Sequence, residues 1–160
     1  MIDANPETGS NKGYEKRQLK TIAARWDAKA ADWDHNLEDP LCHLNEDHAY
    51  RRFLDEARKV IHERRDFCSR NGLIDCACAT GLVLQELISD FAWAVGVDIS
   101  PQMIRLAKAK QIPNSTFVIG DCFELAVCAR PAGAVISRGV LLSHYGHEHA
   151  LSLMRSARSV

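Results

Sequence analysis

The sequence predicts an α/β chain: a parallel sheet covered by helices on both faces, preceded by an N-terminal helical cap. Two observations carry that reading. Four short runs rich in Val, Ile and Phe stay apolar without alternating with polar residues: Leu73–Ala77, Phe91–Asp98, Thr116–Gly120 and Ala132–Ser137. Strands apolar on both faces belong in a parallel sheet, and the helical segments between them supply the crossovers such a sheet requires. Charge, moreover, is unevenly spread, with 27 charged residues in 1–71 and 14 in 72–160. The first part therefore reads as helices with solvated faces, and the second as the source of the core.

Residues 1–13 contain Asn, Pro, Gly and Ser with little apolar content, which predicts a flexible tail. Leu19, Ile22, Ala23, Trp26, Ala30 and Trp33 then recur at i, i+3, i+4, i+7, the apolar face of one amphipathic helix, and Asp39-Pro40 breaks the pattern. Tyr50, Phe53, Leu54, Ala57 and Ile61 repeat the spacing and predict a second helix to about Glu63. Its outer face carries Arg51, Arg52, Asp55, Glu56, Arg58 and Lys59, a solvated helix surface. Residues 14–70 are thus expected to form a cap or lid on a core of residues 71–160.

From Asn71-Gly72 onward strands alternate with helical segments: Leu82–Ser89, Pro101–Lys110, a short turn near Phe123–Val127, and His147–Val160. Ser100-Pro101 is a strong helix start, with a capping hydroxyl and proline at the first helical position. Ala150, Leu153, Met154 and Ala157 give the last helix its apolar face. Right-handed crossovers in such a chain place a ligand at the carboxyl ends of the strands.

Composition excludes several classes. Residues 1–71 carry 13 Lys/Arg against 14 Asp/Glu and residues 72–160 carry 7 against 7, so the basic surplus of a nucleic-acid binder is missing. No run approaches the ~20 apolar residues of a membrane span, and Met1 to Gly13 is polar rather than signal-like. Several of the six cysteines (42, 68, 76, 78, 122, 128) sit in apolar runs, which suits small buried thiols in a reduced, cytoplasmic protein. Cys76-Ala77-Cys78 lacks the C-x₂-C spacing of a structural zinc site.

The chemistry concentrates at the strand ends. The first strand runs through Asp75 into a turn of small residues, Cys76-Ala77-Cys78-Ala79-Thr80-Gly81, and a helix starts at once. The second ends on Asp98, followed by Ile99, and the third is followed by Gly120-Asp121-Cys122. Asp75, Asp98 and Asp121 are spaced 23 residues apart. Small residues in such a turn let a ligand approach the backbone, and a carboxylate can accept two hydrogen bonds from a vicinal diol.

From about Tyr14 to the C-terminus, and most strongly over Leu73–Asp121, the chain resembles class I S-adenosylmethionine-dependent methyltransferases of the small-molecule type. The resemblance implies a Rossmann-like doubly wound sheet of strand order 3-2-1-4. In that family the first turn reads D-x-G-x-G-x-G; here Asp75, Thr80 and Gly81 match, while Ala77 and Ala79 replace two glycines. Alanine penalises φ > 0 and can crowd a ligand. The resemblance places the methionine moiety of S-adenosylmethionine beside this turn, with Asp75 near its amino group. Asp98 would take both ribose hydroxyls, Ile99 would pack on the adenine face, and Asp121, beside Cys122, would accept from the adenine amino group. Ser137 opens a segment, through His144, that in the family lies under the sulfonium and faces the substrate. His144 is the candidate base for a hydroxyl acceptor, with S-adenosylhomocysteine as product. Trp26-Asp27 and Trp33-Asp34 resemble the aromatic–Asp pairs of an N-terminal lid. The tetrapeptide used by nucleobase and amide N-methyltransferases is absent after the fourth strand.

Other readings fit less well. His147 and His149 are two residues apart and would point to different faces of a helix, so with His144 they predict no metal site. His35, His43 and His48 lie in a polar loop. A nicotinamide-dependent enzyme requires G-x-G-x-x-G, where this chain has Ala77, Ala79 and Leu82. A non-catalytic binding subunit with the same fold is the alternative function. The family sheet has seven strands in the order 3-2-1-4-5-7-6, and this sequence supplies four, as if truncated after the fourth. Its fourth strand would then be an exposed apolar edge. A longer parent chain, a second chain or dimer covering that edge, or a shortened variant each account for it.

Overall fold

The computed structural model describes residues 11–34, 49–125, 132–138 and 147–160. Helix α1 (Asn11–Asp27) is followed by a 3-10 turn (Ala30–Asp32), helix α2 (Ala49–Glu63) and the single-turn α3 (Arg65–Cys68). Then come β1 (Gly72–Cys76), α4 (Leu82–Leu87) with a 3-10 extension (Ile88–Asp90), β2 (Trp93–Asp98), α5 (Pro101–Ala109), β3 (Ser115–Ile119), β4 (Ala134–Ser137) and α6 (His147–Arg158). All pairings are parallel and the order is β3-β2-β1-β4, as expected. In register, Asp75 lies beside Gly96 of β2 and Ile136 of β4.

The period-two alternation of strand side chains builds two cores. On one face Leu73 and Ala94 pack with Tyr50, Leu54 and Ile61 of α2, Leu84 and Leu87 of α4, and Ile104 and Ala107 of α5. On the other, Ile74, Cys76 and Val97 pack with Leu125 and Leu153 of α6. Leu73, Ile74, Leu84, Leu87 and Ile104 are essentially inaccessible, and each such side chain contributes about 1.5–3 kcal/mol on burial. An exposed ion pair between Arg58 and Glu86 (2.6 Å) also joins α2 to α4, worth about 0–1 kcal/mol.

Helix α5 begins as its sequence dictates. Ser100 caps it, its hydroxyl accepting from the Met103 N–H at 3.1 Å, and Pro101 follows. Such a cap is worth ~1 kcal/mol. Gly96 is required by packing: a Cβ there would lie 2.7 Å from both Cys78 Sγ and the Phe117 ring.

The N-terminal part departs from expectation. Helix α1 starts at Asn11, so residues 11–13, assigned to a tail, are helical. It also does not run unbroken through Trp33. It stops at Asp27, where the Lys29 N–H turns back to the Trp26 carbonyl (3.0 Å), because the Asp27 side chain is drawn into contacts with α5 described below. Asp39-Pro40 lies outside the described residues, as do residues 1–10. Strand ends differ from the expected ones by one or two residues. The largest shifts are at Phe91-Ala92, which turns back onto Ile88 and Asn71, and at Ala132-Gly133, where the Gly133 N–H bonds the Gly72 carbonyl before β4 begins. Cys68, Cys76, Cys78 and Cys122 are free thiols. No helix among the described residues is long and apolar enough to cross a membrane.

Candidate functional site

The turn after β1 adopts the backbone of a glycine-rich loop without its glycines. Ala77, Ala79 and Gly81 have φ of 59°, 47° and 81°. The left-handed region costs an alanine about 1–2 kcal/mol, so the surroundings must hold the turn. They do so from β2. The Cys78 N–H donates to the Val97 carbonyl (3.1 Å) and the Ala79 N–H to Asp98 Oδ2 (2.9 Å). Asp98 Oδ1 accepts from the Ser100 N–H (2.8 Å), so one carboxylate ties the β1 turn to the start of α5. Burial raises the Asp98 pKa, and hydrogen bonds from the Ser100, Ala79 and Ile99 backbone act against the rise.

Asp75 is provided for differently. It is 2% exposed, and among the described residues its Oδ2 has no hydrogen-bond partner. Burial, reinforced by the charge of Asp98, pushes its pKa up to about 8. An ionised carboxylate without a donor is costly in such a place, so the ligand-free protein keeps Asp75 largely protonated at neutral pH.

The two acids line two pockets that share part of their walls. A cavity of about 410 Å³ is lined by Ala77, Ala79, Asp98, Ile99, Gly120, Asp121 and Cys122 from the core, and by Leu19, Ile22, Trp26 and Trp33 from the N-terminal segment. A small pocket of about 30 Å³ adjoins it, lined by Asp75, Tyr50, Cys78 and Leu82. Trp33, Ala77, Ala79 and Arg138 line both. Asp121 Oδ1 accepts from the Phe123 N–H (2.9 Å), and burial pushes the Cys122 thiol up to about 12.

The N-terminal segment covers the cavity and is fastened at two points. The Trp26 and Trp33 rings meet edge to face, with centroids 5.6 Å apart. Asp27 Oδ1 accepts from the Ser100 hydroxyl and from the Gln102 N–H (3.0 Å), at the positive N-terminal end of α5. Asp34 accepts from the Thr80 hydroxyl and pairs with Lys110 Nζ (2.7 Å), which also reaches Thr80 Oγ1 at 3.3 Å. Each aromatic–Asp pair therefore divides its work: the ring covers the cavity and the carboxylate fastens the cover.

The structure thus brings Asp98, Ile99, Asp121, Cys122, Ala77 and Ala79 to one wall and Asp75 to the adjoining pocket. Three other candidates are placed differently. Thr80 is fully buried among Asp34 and Lys110, Gly81 fits under Phe117, and the Ser137 hydroxyl donates to the Cys76 carbonyl (3.3 Å). These three brace the turn and sheet rather than line the cavity. His144, His35, His43 and His48 lie outside the described residues. Among the described residues no group of His, Cys, Asp and Glu could hold a metal ion.

Sequence reasoning overlooked Tyr50 and Arg138. Arg138 directly follows β4 and sits over the Tyr50 ring, 4.8 Å from its centroid. A charged residue ending an apolar strand was the available signal. Burial raises the Tyr50 pKa to about 12 and lowers that of Arg138.

The sequence pattern of the family described as "methyltransferase domain" matches residues 73–160, the region that holds the turn, all four strands and α6. The chain belongs to this methyltransferase-domain family. A curated relative, an uncharacterized methyltransferase of Schizosaccharomyces pombe, is 36% identical over 56 residues, covering 35% of this chain and 22% of that protein. Among solved structures, the sugar N-methyltransferase KedS8 from Streptoalloteichus is 26% identical with a TM-score of 0.58, over 68% of this chain and 43% of that one. The magnesium protoporphyrin IX methyltransferase ChlM from Synechocystis, with bound SAH, aligns at TM-score 0.65 and 18% identity, over 88% and 67%. The DhpI–SAH complex aligns at 0.57 and 21%, over 88% and 62%. At those identities ChlM and DhpI speak to the fold alone. This methyltransferase domain spans about a fifth of the yeast protein and less than half of KedS8.

Proposed function

We propose that the chain binds S-adenosylmethionine in the cavity beneath Trp26 and Trp33 and transfers its methyl group to an oxygen, nitrogen or carbon of a small molecule. The observation that carries this reading is the Asp75 oxygen, without a partner among the described residues, on a residue lining a small pocket that shares Trp33, Ala77, Ala79 and Arg138 with the cavity lined by Asp98 and Asp121. An unpartnered buried carboxylate suits a cationic donor, and the methionine ammonium is one. The Asp98 oxygens are held by backbone N–H groups and retain acceptor capacity for a ribose hydroxyl. Ile99 offers an apolar surface to the adenine, and Asp121, beside Cys122, accepts from its amino group.

Bound S-adenosylmethionine supplies a methyl carbon already activated by positive sulfur. What remains for the protein is alignment and exclusion of water, which the two tryptophans and their carboxylate fastenings serve. His144 is the proposed base for a hydroxyl acceptor. With a sugar N-methyltransferase among the solved relatives, a small polar acceptor is the favoured class.

Thermal unfolding with S-adenosylhomocysteine, with NAD as control, tests the reading. A ligand at ~100 times its dissociation constant stabilises by about 2.7 kcal/mol, so Tm should rise by several degrees with S-adenosylhomocysteine only. A cooperative transition that neither ligand moves would favour the non-catalytic binding subunit.

A further inference from the structure

The outer face of α6 carries apolar side chains that its inner face does not need. Leu153 and Ser156 are buried, and the Ser156 hydroxyl accepts from the Leu125 N–H at 2.7 Å, which fixes how the helix is rotated against the sheet. Glu148, Leu151, Met154, Arg155 and Arg158 are therefore left outside. Met154, expected from the sequence on the inner face, is instead 63% exposed, and Leu151 is 46% exposed. Single apolar side chains at a surface are ordinary, but these two adjoin on one helix face, three positions apart. Charges of opposite sign frame them. Glu148 stands in the first turn and Arg155 in the last, on the same helical stripe as Leu151. Among the described residues neither takes part in an ion pair.

A strip that runs acid, leucine, methionine, base is complementary to itself when turned end for end. Glu148 and Arg155 lie about 10 Å apart along the helix axis, with Leu151 and Met154 between them. In an antiparallel pair of such helices, Glu148 of each copy faces Arg155 of the other, and the leucines and methionines of both fill the middle. We propose that the outer face of α6 pairs two copies of this chain about a twofold axis passing beside Leu151 and Met154. A twofold contact requires one surface to fit its own reverse, which this charge order does and which a contact with an unrelated chain would not need. The net charge of −1 leaves little repulsion between copies. None of these residues lines either pocket described above, so the pairing is independent of the cofactor reading. It uses helix side chains rather than the backbone edge of β4. One helix face buries less than the roughly 1,200–2,000 Å² of a standard interface, so the association is weak and reversible.

Sedimentation equilibrium of the full chain, from low to several hundred micromolar, tests the pairing. The wild type should pass from monomer to dimer as concentration rises. A monomer throughout would overturn the proposal, and so would assembly beyond the dimer, because a twofold contact closes on itself. Glu148→Arg sets like charges opposite each other at both ends of the strip, as does Arg155→Glu, and each variant alone should associate roughly tenfold more weakly or worse. Mixed in equal amounts, the two should pair with each other at about wild-type strength, since each supplies the charge the other lacks. Such recovery separates contact between copies from a folding defect, because mixing leaves each chain's own fold unchanged. Leu151→Ser combined with Met154→Ser should also weaken self-association while leaving the charges in place, and thermal melts check that every variant is folded. A dimer indifferent to all these substitutions would overturn the assignment of this face. Folded charge variants that do not recover on mixing would overturn the antiparallel arrangement.

Discussion

The carboxyl ends of β1 and β2 are neighbours in the sheet, each carrying a buried aspartate, Asp75 one residue before the end of β1 and Asp98 at the end of β2, and the two are provided for in opposite ways. At β2, Asp98 accepts from the N–H groups of Ala79 and Ser100, holding a strained turn to the start of a helix. At β1, Asp75 is more deeply buried and its Oδ2 accepts from nothing among the described residues. A buried polar group with partners stabilises the fold; one without them costs free energy that a ligand can return. Similar acids at similar strand ends thus do different work, and substitution should separate them.

The largest effect is expected from Asp98→Ala, which strands the buried Ser100 N–H and the partly buried Ala79 N–H. It should cost about 2–4 kcal/mol and lower Tm by roughly 5–12 °C in a chemical or thermal melt, while also weakening S-adenosylhomocysteine. Stability unchanged by this variant would end the contrast. Asp75→Asn should act in the other direction on the ligand-free protein. Its folded pKa of about 8 lies above the usual carboxylate value, so between roughly pH 4 and pH 8 the folded state binds the extra proton. Wild-type stability from this group is therefore full at low pH and falls as pH rises toward 8. Asn should remove that slope and leave the protein more stable near pH 8, at the expense of cofactor affinity. Conversely, wild-type affinity for S-adenosylhomocysteine should climb between pH 6 and 8 as Asp75 gives up its proton on binding; a flat calorimetric profile would place the ammonium elsewhere.

Smaller effects sharpen the picture at the turn. Ala77→Gly and Ala79→Gly each remove a left-handed alanine but add freedom to the unfolded chain, so a net gain of about 0.5–1 kcal/mol is expected in denaturant titrations. Least is expected of Lys110→Met, whose partly exposed ion pair with Asp34 is worth about 0–1 kcal/mol. Its signature would be faster release of S-adenosylhomocysteine rather than a lower Tm.

Much of the sheet could be read from residues alone. The apolar runs announced all four strands, and Ser100-Pro101 announced the start of α5, because these are local patterns. The order 3-2-1-4 came from resemblance, since no spacing rule specifies which strand lies beside which. What escaped was non-local. Nothing near Asp27 says that its carboxylate will cap a helix more than seventy residues later, and so end its own helix early. Ser100 illustrates a related limit: its cap was foreseen, but not that its hydroxyl would also donate to Asp27. For the candidate site, Asp75, Asp98 and Asp121 were picked out by the family resemblance, with their even spacing in support. Arg138 and Tyr50 were not, because their meeting depends on α2 folding back over β4.

The fastening of α1 to α5 has a kinetic consequence. This N-terminal segment has its anchors on Ser100, Gln102, Thr80 and Lys110, all far downstream. A 17-residue helix is marginal in water on its own, and closing so long a loop is entropically unfavourable until the sheet exists. Although it precedes them in the chain, this element should therefore dock after β1, β2 and α5 have assembled. In the finished protein the same segment should be the first to detach, exchanging its amide hydrogens through partial openings that leave the sheet intact. A cover that joins late and leaves early lets ligands come and go without unfolding the core.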